Sequence, residues 1–153
     1  MKFAFYFKCF IIPVLILSCN VTFQHDDVFF EEASKQIELT LNKQIQMWNN
    51  GSIDGFMQGY WHSDSLKFIT KRGVKFGYDS VALGYKKNYN TPEKMGKLTF
   101  SHLKHYSLNT HNTLMQTTGT WHVVQKNETD SGMFSLFLKP LNGQWKIIID
   151  HTW

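Results

Sequence analysis

The sequence predicts an α+β domain in which three early helices pack on one face of an antiparallel sheet built late in the chain. Three observations carry this. Ser131–Trp153 holds two apolar runs around Leu141-Asn142-Gly143, and Asn-Gly between apolar runs is the strongest short-range hairpin signal. Ile37, Leu41, Ile45 and Trp48 recur at helical spacing, giving one apolar face. Between them, strand-like runs follow one another with only turns separating them, and consecutive hairpins make a meander that the helices must cover.

In order, the first helix is expected over about Val28–Asn49, stopped by Asn49-Asn50-Gly51, a segment tolerant of positive φ. Ser52 is the expected N-cap of a short second helix through Phe56, Met57 and Tyr60. Ser65–Thr70 and Val74–Phe76 read as a small strand pair around Lys71-Arg72-Gly73. A third helix runs from Asp79 to Tyr89 and ends at Asn90-Thr91-Pro92. Long strands follow at Lys97–Leu108, Thr113–Lys126, Ser131–Leu138 and Gln144–Thr152. The last hairpin is apolar on both faces, which places it in the centre of its sheet.

The chain has 153 residues, enough for one domain with a real core. Hydrophobic residues make up 42% and aromatics 16%, which excludes a disordered polar chain. Net charge is +4, two of the sixteen cations being Lys2 and Lys8, and no more than two Lys or Arg are adjacent. That pattern gives no footprint for nucleic acid.

Residues 1–18 read as a signal peptide: Lys2 and Lys8 form a basic start and Phe10–Leu17 an apolar stretch, too short for a permanent span of about 20 residues. Ile16-Leu17-Ser18-Cys19 resembles the lipobox of bacterial lipoproteins, departing from the commonest pattern at Ile16. The resemblance implies cleavage before Cys19, its acylation, and a lipid-anchored protein of the cell envelope; an ordinary secretory signal is the alternative. Residues 19–27 would be a tether and 28–153 the domain. Both cysteines, Cys9 and Cys19, fall in the leader, so the domain has no thiol for a disulfide, nucleophile or metal.

Trp48-Asn49-Asn50-Gly51-Ser52-Ile53-Asp54-Gly55-Phe56, Tyr60-Trp61, Asp64-Ser65-Leu66, Gly73–Gly77, Tyr85-Lys86-Lys87, Gly119-Thr120-Trp121 and Gly143–Ile147 with Asp150-His151 together resemble the NTF2-like superfamily, and within it the SnoaL-like (DUF4440-type) branch. The resemblance implies a curved sheet wrapped on helices into a cone, a deep pocket, and a homodimer through the convex sheet face. Trp153 departs from the small residue common after the terminal His-Thr. Function does not follow from this fold, because the superfamily hosts isomerases, cyclases, dehydratases, transport factors and proteins of no known activity.

Alternation along the last strand places Trp145, Ile147, Ile149 and His151 on one face and Lys146, Ile148, Asp150 and Thr152 on the other. If the first set faces the pocket, His151 is either a candidate acid or base or a structural histidine bonded locally. Tyr60, Asp64 and Asp79 are residue types that an isomerase of the ketosteroid kind would need. The Tyr that such an isomerase carries on its first helix has no counterpart here. None of His25, His62, His102, His105, His111, His122 and His151 sits at a metal-ligand spacing, so neither a metal nor a cofactor is expected.

Trp48, Tyr60, Trp61, Tyr89, His102, Trp121, Phe134 and His151 are the candidate ligand-binding set, within a wider ring that adds Phe56, Phe68, Tyr85, Phe100 and Trp145. These aromatics either wall a cavity for a small apolar or aromatic ligand or fill the cone as ordinary core. Binding of such a ligand, a pocket enzyme using His151, and a dimeric interaction module with a filled cone are the three functions open to this sequence. Lys71-Arg72 and Lys86-Lys87 read as a solvated face.

Overall fold

A computed structural model describes residues 21–153, with side chains from residue 28 onward; the signal peptide and Cys19 lie outside the described residues. Helix α1 (Val21–Asn49) begins earlier than the expected Val28. Its buried stripe is Ile37, Leu41, Gln44 and Trp48, with Ile45 only half-buried. Helix α2 (Ile53–Met57) is capped by Ser52, whose Oγ accepts from the Gly55 N–H, satisfying one of the donors a helix start leaves open.

Strands β1 (Lys67–Thr70) and β2 (Gly73–Phe76) form the small hairpin, followed by α3 (Tyr78–Asn88). Thr91-Pro92 does more than end α3. Thr91 caps a four-residue helix, α4 (Pro92–Met95), with proline in its first turn. The meander then comprises β3 (Lys97–Ser107), β4 (Met115–Val124), β5 (Thr129–Leu141) and β6 (Gln144–Thr152).

The strands form one six-stranded sheet in the order β2-β1-β6-β5-β4-β3. Every pairing is antiparallel except β1 with β6, which run parallel. The expected hairpin is therefore the sheet's centre. At its tip Asn142 (φ 51°) and Gly143 (φ 74°) both take positive φ, as a type I′ turn requires. At the outer edge, Asn49 bonds both backbone groups of Leu98, covering part of the free edge of β3.

One layer of helix lies on the concave sheet face. Ile37, Leu41, Met57, Met115, Leu138 and Ile147 are buried between them, each contributing about 1.5–3 kcal/mol by leaving water. Trp145 is only half-buried at the start of β6.

Two irregularities decide which side chains face inward. In β5–β6, Phe137 pairs with Ile149 while Leu138 pairs with Ile147, so Ile148 is an extra residue. This bulge shifts the alternation by one: Ile147 and Asp150 both lie opposite buried leucines, Leu138 and Leu136. In β3 the register shifts between Ser101 and Lys104, and His102 there has φ 54°.

Candidate functional site

The concave face and the helices enclose a cavity of about 630 Å³, inside the usual range for small-molecule pockets. The cone is thus open, not filled. α1 contributes Gln44 and Trp48, α2 contributes Phe56, and α3 contributes Val81 and Tyr85, with Tyr89 capping its C-terminal end. Phe68, Phe100, Trp121 and Phe134 come from the sheet. One wall is an aromatic lattice in edge contact: Trp48 lies 4.7 Å from Tyr89 and 5.2 Å from Phe56, which is 5.2 Å from Tyr85. Such contacts hold rings rigidly at their preferred geometry.

Its polar floor is Tyr60, Asp150 and Thr152. The Tyr60 hydroxyl donates to Asp150 Oδ2 at 2.7 Å, and Thr152 Oγ1 donates to Asp150 Oδ1 at 2.6 Å. Thr152 reaches the carboxylate because residues two apart share a strand face. Tyr60 is positioned by the turn after α2, whose backbone pairs with Ile147: Ile147 N–H donates to Gly59 O and Trp61 N–H to Ile147 O. Asp150 is 3% exposed. Burial pushes its carboxyl above the ordinary carboxylate range, opposed by the bonds from Thr152 and Tyr60 and the charge of His151. Burial likewise pushes the hydroxyls of Tyr60 and Tyr85 upward, with Asp150 adding to both. Both phenols therefore remain protonated donors at neutral pH.

The Trp121 indole N–H is buried in the wall with no hydrogen-bond partner among the described residues. A buried donor left unpaired costs about 1–3 kcal/mol; this one packs against the backbone of Gly132, where a Cβ would stand 2.8 Å from it.

Of the residues singled out from sequence, Trp48, Tyr60, Tyr89, Trp121 and Phe134 line the cavity. Trp61, His102 and His151 do not. The Trp61 ring instead carries the Lys139 ammonium 4.5 Å from its centroid. His102 is exposed on the β3 bulge, its Nδ1 3.1 Å from Ser101 Oγ, which also meets His122 Nε2 at 3.2 Å. His151 is exposed and tilts against Trp153; the bulge at Ile148 has exchanged its expected place with Asp150. An acid or base role for His151 in the cavity has no geometric basis. Asp64 and Asp79 are exposed and do not line the cavity. Among the described residues no three potential ligands gather as a metal site.

Sequence reasoning missed Gln44 and the mouth cations Lys71, Arg72 and Lys75, and left open which face of the last strand turns inward, that of His151 or that of Asp150 and Thr152. Gln44 had a signal, because 37, 41, 44 and 48 is as good a helical stripe as one through Ile45. The inward orientation of Asp150 had none, since three consecutive isoleucines conceal a one-residue shift.

Among solved structures, an NTF2-like protein of unknown function from Shewanella oneidensis MR-1 matches with a TM-score of 0.73 and 31% identity, over 78% of this chain and 97% of that one. This chain belongs to the NTF2-like superfamily. More distant NTF2-like structures agree in fold. One of unknown function from Pseudomonas putida KT2440 has a TM-score of 0.66 at 13% identity, covering 80% of this chain and 86% of its own. A Salmonella enterica superfamily protein has 0.56 at 18%, covering 80% and 91%. No protein-family model matches the sequence, and no curated protein matches it.

Proposed function

We propose that this NTF2-like domain binds one small, largely hydrophobic or aromatic molecule in its cone. The observation that carries this is the open cavity of about 630 Å³ walled by rigid aromatic rings. The Tyr60–Asp150–Thr152 floor supplies a few fixed polar points in an otherwise largely aromatic wall, the usual composition of a ligand site. Among the described residues no histidine lines the cavity beside Asp150, which favours binding over a His151-dependent reaction.

The motifs from Trp48 to Phe56 and from Gly143 to Asp150 support placing it in the SnoaL-like branch. The lipobox-like Ile16–Cys19 supports export and lipid anchoring at Cys19, so the cavity would work at the cell envelope.

Binding is tested with 1-pyrenebutanol, a flat apolar probe, by energy transfer from Trp48 and Trp121. Saturable uptake of one probe per chain is expected. Linear, unsaturable uptake would reject the pocket reading.

A further inference from the structure

The mouth of the cavity carries an excess of positive charge on one hairpin. Lys71 and Arg72 form the tip between β1 and β2, and Lys75 follows on β2; all three are exposed and line the opening. Lys75 is paired across the hairpin with Phe68, and directly opposed residues share a sheet face. Its side chain therefore leaves on the cavity side, beside the Phe68 ring.

The ammonium then reaches the helix layer. A Cβ placed on Gly84 of α3 would stand 2.6 Å from Lys75 Nζ. Glycine at this position leaves the notch in which the ammonium rests, so Lys75 spans the opening from sheet to helix. Its methylene stem can cover apolar wall while the charge stays wet.

These cations are not consumed by the protein. The ion pairs among the described residues are His62–Asp79, Lys86–Asp54 and His105–Glu38, and none uses Lys71, Arg72 or Lys75. The opposing charge at the mouth is Asp130, whose Oδ1 already accepts from the Ser131 N–H. Arg72 and Asp130 both act on the Tyr89 hydroxyl, with opposite sign, which places them about one opening.

The interior has the reverse character. Its walls are aromatic, and its buried acid, Asp150, has both oxygens occupied. A charge on the ligand is costly deep inside, and a negative one would meet Asp150. A negative charge at the mouth meets three cations.

We infer that the ligand is an amphipathic anion, with an apolar ring body held in the cone and a single carboxylate or phosphate head held outside it by Arg72 and Lys75. The inference rests on the pocket reading above and adds the ligand's charge and orientation. Arg72 offers a planar fork matched to such oxyanions, and Lys75 a point charge beside it.

The test compares 1-pyrenebutanol, 1-pyrenebutyrate and 1-pyrenebutyl phosphate on the full chain. At low salt the acids should bind about tenfold more tightly than the alcohol, and 1 M NaCl should shrink that ratio by screening. Arg72→Gln with Lys75→Met should remove the preference and leave alcohol affinity unchanged. Gly84→Ala, which displaces the ammonium without touching the aromatic wall, should reduce it in part. A preference for either acid supports the inference, and the tighter of the two assigns the head. Equal binding of acids and alcohol, or a preference that survives the double variant, overturns it while leaving the pocket reading intact. Binding of none of the three overturns both.

Discussion

Replacing Tyr60 with Phe removes one hydroxyl from the floor of the cone. The ring stays, with its contact to Phe56 at 5.8 Å. The hydroxyl that is lost donates to Asp150 at 2.7 Å and is also bonded to the Tyr85 hydroxyl, so the bond to Asp150 is isolated by a cycle with Asp150→Asn. Both residues are almost fully buried, at 4% and 3% exposure, so the lost donor is replaced by water only from the cavity side. A hydrogen bond to a charged group contributes about 1.5–3 kcal/mol and one between neutral groups about 1 kcal/mol. The cost of Tyr60→Phe therefore depends on whether Asp150 carries its proton. Asp150 titrates above its ordinary value when folded. The folded state thus binds the proton more tightly than the unfolded chain, and stability falls as pH rises from about 3.9 toward the raised folded value. Without the Tyr60 donor the folded value moves higher still, so the gap between variant and wild type must widen with pH. Urea unfolding, followed by tryptophan fluorescence at pH 4.5 and pH 8, should show a loss of about 1 kcal/mol at the lower pH. At the higher pH it should be about 2 kcal/mol, a midpoint shift on the order of 1 M. The same substitution made in an Asp150→Asn background should cost less at pH 8. Identical midpoints at pH 8, or no coupling in that double-mutant cycle, would refute the assignment of this bond.

Two further outcomes follow from the same chain. Asp150→Asn keeps the shape of the carboxylate and removes its charge. Its stability should rise relative to wild type as pH increases above about 4, and a parallel pH dependence in the two proteins would show that Asp150 is not the buried titrating group. Cys19→Ser should release the protein from the membrane fraction into the soluble envelope fraction; unchanged partition would reject lipid anchoring.

Much of the fold was legible in the sequence because it is local. The Asn142-Gly143 pair specifies a turn whose backbone few other residues adopt, and it set the central hairpin. Ser52 announced α2 by the one bond a cap makes. The run of turn-separated apolar segments after Gly96 gave four strands in consecutive pairing. The parallel docking of β1 on β6 was not legible, because two strands some eighty residues apart in the chain carry no local signal of each other.

The composition and order of the chain determined an aromatic-rich antiparallel meander with helices on one face, since hydrophobic period and turn chemistry act within a few residues of one another. Tertiary structure decided what the cone presents. Ile147, Ile148 and Ile149 satisfy either sheet face equally well, so the pattern did not fix the register there. The bulge at Ile148 turned Asp150 inward and His151 outward. Lys71-Arg72, with the look of a solvated pair, became part of a charged mouth once the hairpin folded against α3. In each case the deciding contact joins elements distant in sequence, and only packing brings them together.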